Sequence, residues 1–149
     1  MNIPHYRQQT VYSCGPASMR MALASQGIRV PERKLRDMMR TVPHAGTKDR
    51  MFGVAARHFG LRTHQGPHRS FVHMRRDLDQ GHVVIVCFIN EKDESGHYAV
   101  VKSLTPTHVI LQDPWNGPGY KLTRSYFKKV WHDSKGKPRW YCAIRRNPP

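Results

Sequence analysis

Three side chains in this sequence have types and positions that suit nucleophilic catalysis: Cys14, His97 and Asp113. Cys14 stands between Ser13 and Gly15-Pro16, just ahead of a small-residue, apolar stretch through Ala17, Met19, Met21, Ala22, Leu23 and Ala24. A thiolate, not a thiol, attacks carbonyls, and the dipole and free N–H groups of a helix N-terminus favour it. Gly15 leaves the backbone beside the sulfur open to a substrate. Cys87 and Cys142 lie inside apolar strand patterns and read as small hydrophobes. His97 follows Gly96 at the start of one strand, and Asp113 ends the next. If these strands pair as an antiparallel hairpin, both side chains fall at one end of it and can meet. A base that takes the thiol proton and a carboxylate that orients the base complete a Cys–His–Asp triad. Singly, a strand-end histidine and an Asp-Pro turn starter are ordinary features.

The elements that must hold these groups read as helices first and strands later. Gly27 suits the end of the first helix and Pro16 its first turn. A second helix begins at Pro31, with Leu35, Met38 and Met39 on one face and Arg33, Arg36 and Arg40 on another. Thr47 is expected to cap a third, with Met51, Val54, Ala55 and Phe59 inward and Gly60 at its end. Ser70 is expected to cap a fourth, with Phe71, Met74 and Leu78 inward and Gly81 closing it. Residues 82–89 form a continuous apolar, β-branched run, as in a central strand. Residues 97–104 and 108–112 read as the next two strands, and 113–119 as a loop dense in breakers. Thr123 is expected to cap a last helix running to Trp131, and residues 140–144 a closing strand. Helices followed by a meander predict an α+β domain with an antiparallel sheet, spanning residues 1–149 as one unit.

Three segments carry a resemblance to a known family. The block Gln8-Gln9-Thr10-Val11-Tyr12-Ser13-Cys14-Gly15-Pro16-Ala17-Ser18, then Gly96-His97-Tyr98-Ala99-Val100-Val101, then Gln112-Asp113-Pro114 resemble the bacteriocin-processing C39 cysteine peptidases. The intervals, 83 residues from Cys14 to His97 and 16 from His97 to Asp113, suit that family. The resemblance implies a papain-like α+β fold, with N-terminal helices packed on an antiparallel sheet. It implies a thiol peptidase with Cys14 as nucleophile, His97 as base and Asp113 as its orienter, needing no cofactor. It also implies a glutamine whose side-chain amide joins the Cys14 N–H in an oxyanion hole, with Gln8 the matching position and Gln9 the adjacent alternative. Many family members are domains of export ABC transporters that trim double-glycine leader peptides. This chain has no transmembrane segment and no Gly-rich ATPase motif, so it reads as a stand-alone relative. Its partner is then a peptide or protein substrate, cleaved as a leader or otherwise; isopeptide hydrolysis, acyl transfer and lost activity stay open.

Composition bounds the alternatives. The chain has 149 residues, 38% hydrophobic and 23% charged, which fits a folded domain and not a disordered one. Three widely spaced cysteines argue against a disulfide framework. The longest apolar run is too short for a membrane span, and no signal peptide opens the chain, so a cytoplasmic location is expected. His64 and His68 are four apart, but Gly66-Pro67 breaks the helix they would need to converge on a metal, so no metal site is expected. The formal net charge is +15, spread along the chain. Such a field attracts anions, and the competing reading is a non-catalytic basic module binding nucleic acid or an acidic protein. Against that background Glu91-Lys92-Asp93-Glu94 is an acidic turn leading into His97, expected to place carboxylates at the active-site mouth.

Overall fold

The computed structural model of the chain describes residues 1–91 and 95–148. Among these residues five helices and six strands follow in the order α1 (Cys14–Ser25), α2 (Glu32–Met38), α3 (Arg50–His58), β1 (Arg62–Gly66), α4 (Phe71–Asp79), β2 (Val83–Asn90), β3 (Ser95–Leu104), β4 (His108–Asp113), β5 (Gly117–Thr123), α5 (Arg124–Val130) and β6 (Tyr141–Arg145). The strands form one sheet in the spatial order β1-β6-β2-β3-β4-β5, with every pair antiparallel.

Strand β2 explains the layering. Side chains alternate across a strand, so a run that is apolar at every position must be covered on both faces. Val83, Ile85 and Cys87 pack with α1, α2 and α3 residues such as Met19, Leu23, Leu35 and Phe52. Val84, Val86 and Phe88 point the other way, onto Met74, Phe127 and Trp131 of the α4 and α5 side. The N-terminal helices therefore cover one face of the sheet, as the resemblance implies, and α4 with α5 covers the other.

Most helix ends follow their local chemistry. Ser70 Oγ accepts the His73 N–H at 3.2 Å and Thr123 Oγ1 accepts the Tyr126 N–H at 3.2 Å, so both expected caps are present. Thr47 does not cap α3. The residue before that helix is Asp49, and the Thr47 hydroxyl instead meets Thr41 Oγ1 at 2.6 Å. Within α3, Val54 faces out at 39% exposure, while Phe52 and Ala56 are buried. Phe52 wins the inward position because its ring packs between Tyr98 and Trp140, with centroids 4.6 and 5.6 Å away.

Two strands depart from the expected layout. Strand β1 is a polar edge strand, Arg-Thr-His-Gln-Gly, whose exposed face hides the usual apolar alternation. Strand β5 starts at Gly117, inside the segment that reads as loop. The Asp113 carboxylate accepts the main-chain N–H groups of Trp115 and Asn116 at 2.9 and 2.8 Å, folding residues 114–116 into a turn short enough for pairing to resume at Asp113↔Gly117.

Candidate active site

Cys14 is the first residue of α1 and is half-buried. The chain reaches it through a turn closed by Ser13, whose Oγ accepts both the Thr10 N–H at 3.1 Å and the Thr10 hydroxyl at 2.7 Å. That hydroxyl is thus occupied, and no side chain caps the first turn of α1, which also carries no acidic residue. Gly15 is required where α1 meets the 41–47 loop. A Cβ there would stand 2.6 Å from Thr47 Oγ1 and 2.8 Å from Thr47 Cβ.

His97 lies on β3 and Asp113 ends β4. The pairing Val100↔Gln112 and Val101↔Leu111 makes β3 and β4 the antiparallel hairpin expected from the sequence. His97 Nε2 and Asp113 Oδ1 are 2.7 Å apart, with His97 5% and Asp113 0% exposed. The Phe88 ring packs perpendicular to the imidazole, with centroids 5.5 Å apart. Burial disfavours a charged His97, yet hydrogen bonds to Asp113 and to the Cys14 side chain, with the fields of both, outweigh it and push its pKa up to about 10. Burial likewise opposes ionisation of Asp113, but His97 and the N–H groups of Asn116 and Trp115 hold its carboxyl below the ordinary value. The pair favours an imidazolium held against the Asp113 carboxylate, a state to which the Cys14 side chain also contributes.

The other two thiols behave differently. Cys87 and Cys142 are buried in the α1 side of the core, and burial drives the Cys87 thiol up strongly and Cys142 up to about 12. Neither offers a thiolate near neutral pH.

The two candidate glutamines separate clearly. Gln9 is exposed; its N–H donates to Glu32 Oε1 at 2.9 Å and its Oε1 accepts from Arg36 at 3.3 Å. Gln8 is buried, and its main-chain N–H donates to the Pro114 carbonyl at 3.0 Å, directly after Asp113. Among the described residues its Nε2 donates to the Thr10 carbonyl at 2.7 Å and to no second acceptor, which leaves one amide proton uncommitted, and its Oε1 is buried with no partner.

Several positioning contacts had no obvious signal in the sequence. The N-terminal segment clamps the Asp113 turn: His5 Nε2 meets the Asp113 carbonyl at 2.7 Å, Gln112 Nε2 donates to the Ile3 carbonyl at 2.8 Å, and Arg7 donates to the Trp115 carbonyl at 3.2 Å. Asn116 Nδ2 donates to Asp113 Oδ2 at 3.2 Å, a contact hinted at by the Asp-Pro-x-Asn spacing. Glu32, 1% exposed, anchors the segment from α2 and pairs with Arg36 at 3.2 Å. Arg36 of the basic stripe is therefore committed to Glu32 and Gln9. Of the acidic turn, Glu91 accepts a hydrogen bond from the Tyr126 hydroxyl at 3.1 Å, while Lys92, Asp93 and Glu94 lie outside the described residues. No helix among the described residues is long and apolar enough to cross a membrane.

Comparison with known proteins adds a lineage to this geometry. A model of the Peptidase_C39 like family matches residues 1–138. An uncharacterised protein of Methanothermobacter thermautotrophicus is 33% identical over 126 residues, covering 83% of this chain and 80% of that protein. The peptidase domain of Streptococcus ComA, a bifunctional ABC transporter involved in quorum sensing, superposes with a TM-score of 0.80 at 20% identity, covering 98% of this chain and 100% of that domain. A double-glycine-motif protease from an AMS/PCAT transporter, solved with its leader peptide, superposes with a TM-score of 0.72 at 20% identity, covering 98% and 93%. The shared architecture is the papain-like α+β fold.

Proposed function

Since the chain belongs to the Peptidase_C39 like family, we propose that it is a cysteine peptidase in which Cys14, His97 and Asp113 act as the triad on a leader peptide or another protein substrate. The observation that carries this reading is the buried pair itself: Asp113 holds His97 at 2.7 Å, and the Cys14 side chain, at the start of α1, adds to the interactions that raise the His97 pKa. His97 takes the Cys14 proton, and the sulfur attacks the scissile carbonyl carbon. The resulting oxyanion is met by the Cys14 N–H and the uncommitted amide proton of Gln8. A preorganised donor of this kind is worth about 10²–10³ in rate. Collapse breaks the C–N bond, the amine leaves with the proton from His97, and a thioester remains on Cys14. Water, deprotonated by His97, then cleaves the thioester and restores the thiol. Asp113 stays ionised throughout and keeps the imidazole oriented.

The AMS/PCAT protease solved with a leader peptide supports a peptide as the substrate class here. The test is cleavage profiling of a peptide library, including double-glycine leaders, with the wild-type chain and Cys14→Ala. Cleavage products that vanish in Cys14→Ala are expected. Iodoacetamide should label Cys14 stoichiometrically at pH 6 and much more slowly in His97→Ala. A Cys14 that labels no faster than a free thiol, with no peptide cleaved, overturns the reading.

A further inference from the structure

A second histidine–carboxylate cluster takes no part in the proposed catalysis. It comprises His64 of β1, Asp77 of α4 and His82 immediately before β2. The end of α4 builds it. Gly81, at φ +85°, lets the chain turn back so that the His82 N–H donates to the Asp77 carbonyl at 3.0 Å and the Gly81 N–H to the Leu78 carbonyl at 3.1 Å. This closure sets the His82 ring beside the Asp77 side chain, and β1 brings His64 in from the sheet edge.

We propose that His64, Asp77 and His82 form a binding site for a divalent transition-metal ion of the zinc class. One ligand atom from each of the three residues lies within 4.8 Å of the other two. His64 Nε2 is 3.2 Å and His82 Nδ1 3.7 Å from Asp77 Oδ1. Ligand atoms about 2.0–2.1 Å from a tetrahedral zinc stand roughly 3.3 Å from one another, so the cluster needs only small shifts to form one face of such a site. His82 Nδ1 also stands 3.2 Å from the Asp77 carbonyl, a contact that a metal bond at that nitrogen would replace.

Two further features suit a ligand set. The Tyr141 hydroxyl donates a short hydrogen bond to Asp77 Oδ2, which fixes the carboxylate and leaves Oδ1 toward the histidines, as an outer-sphere partner does in metal sites. Burial, partly offset by Asp77, lowers the His82 pKa and keeps its ring neutral, with a lone pair to offer. The cluster opens into a surface pocket of about 320 Å³ whose rim includes Arg62 and Arg145. Three protein ligands leave a coordination position toward that pocket for water or an anion, and Arg145, already donating to the Gln80 carbonyl at 3.2 Å, is turned to the rim.

The site is independent of the proposed catalysis, and the test keeps the two apart. Zn²⁺ is titrated calorimetrically into the full chain carrying Cys14→Ala, which removes the sulfur as a competing ligand. One equivalent is expected to bind and to raise Tm. Adding His64→Ala or Tyr141→Phe should weaken binding by about tenfold or more. His64 is exposed on an edge strand, so its truncation leaves the core intact, and circular dichroism verifies that each variant is folded. A Cys14→Ala chain that binds no Zn²⁺, or binding that both His64→Ala and Tyr141→Phe leave unchanged, overturns the proposal.

Discussion

Asp113 accepts four hydrogen bonds: His97, Trp115 N–H and Asn116 N–H on Oδ1, and Asn116 Nδ2 on Oδ2. An asparagine in its place keeps three of these by presenting its carbonyl as Oδ1, and loses the charge. Asp113→Asn should therefore fold and lower kcat/KM less than His97→Ala does, as read from progress curves on one cleaved peptide; equal losses would mean the two act as a unit. The charge has its own readout. His97 is raised to about 10 partly by that carboxylate, so the alkaline limb of the pH–rate profile should move to lower pH in Asp113→Asn. The same shift has a sign for stability. A folded-state pKa above the ordinary 6.5 means the contribution of His97 is fully present below about pH 6.5 and is lost as pH rises toward about 10. Urea unfolding at pH 6 and pH 10 should show a larger loss for wild type than for His97→Gln. Among the thiols, Cys14→Ala should end turnover with Tm unchanged. Cys87→Ala should keep turnover and cost about 1 kcal/mol, since it removes a buried group comparable to a methylene and leaves a small cavity.

At the scale of elements, the sequence is most informative where local chemistry and tertiary packing agree. Helices α1, α4 and α5 carry their own boundaries in Gly27, Ser70, Gly81 and Thr123, and β2 carries its burial in an unbroken apolar run. The hairpin that joins His97 to Asp113 is legible because each residue sits at a strand end beside a turn signal. What the sequence hides depends on partners far away in the chain. Strand β1 is recognisable only from its pairing with β6, and Phe52 displaces Val54 from the core because Tyr98 and Trp140 await it. The clamp by His5 and Gln8 on the Asp113 turn spans more than 100 residues and leaves no local periodicity. Gly15 makes the element-level argument testable. Gly15→Ala drives a Cβ into Thr47, whose Cβ is rigidly placed, so it should cost about 1–3 kcal/mol and slow Cys14 alkylation by shifting the start of α1. Thr47→Gly in the same chain should recover part of both, measured by Tm and iodoacetamide kinetics, because it removes the three atoms nearest the new Cβ.

Over the whole molecule, 25 basic against 10 acidic residues give a field of one sign, whereas a single carboxylate such as Glu91 acts only locally. The screening length decides between them, at about 8 Å in physiological salt and about 30 Å at 0.01 M. At low salt the protein-wide charge reaches an approaching peptide before any single side chain does, and it should raise the encounter rate of acidic substrates. Glu91 is exposed and already accepts from the Tyr126 hydroxyl, so its own pull is weak beyond contact distance. Two matched substrates, one with Glu and one with Lys flanking the scissile bond, should therefore differ in kcat/KM at low salt in favour of Glu. The gap should close as salt rises, while kcat stays nearly constant, because steering acts on encounter and not on the acyl step. Glu91→Gln should change the Glu-to-Lys ratio by less than about twofold at either salt concentration, the size expected of one screened surface charge. A Lys-flanked peptide preferred at low salt, with that preference abolished by Glu91→Gln, would instead assign substrate selection to the local carboxylate and not to the field of the whole chain.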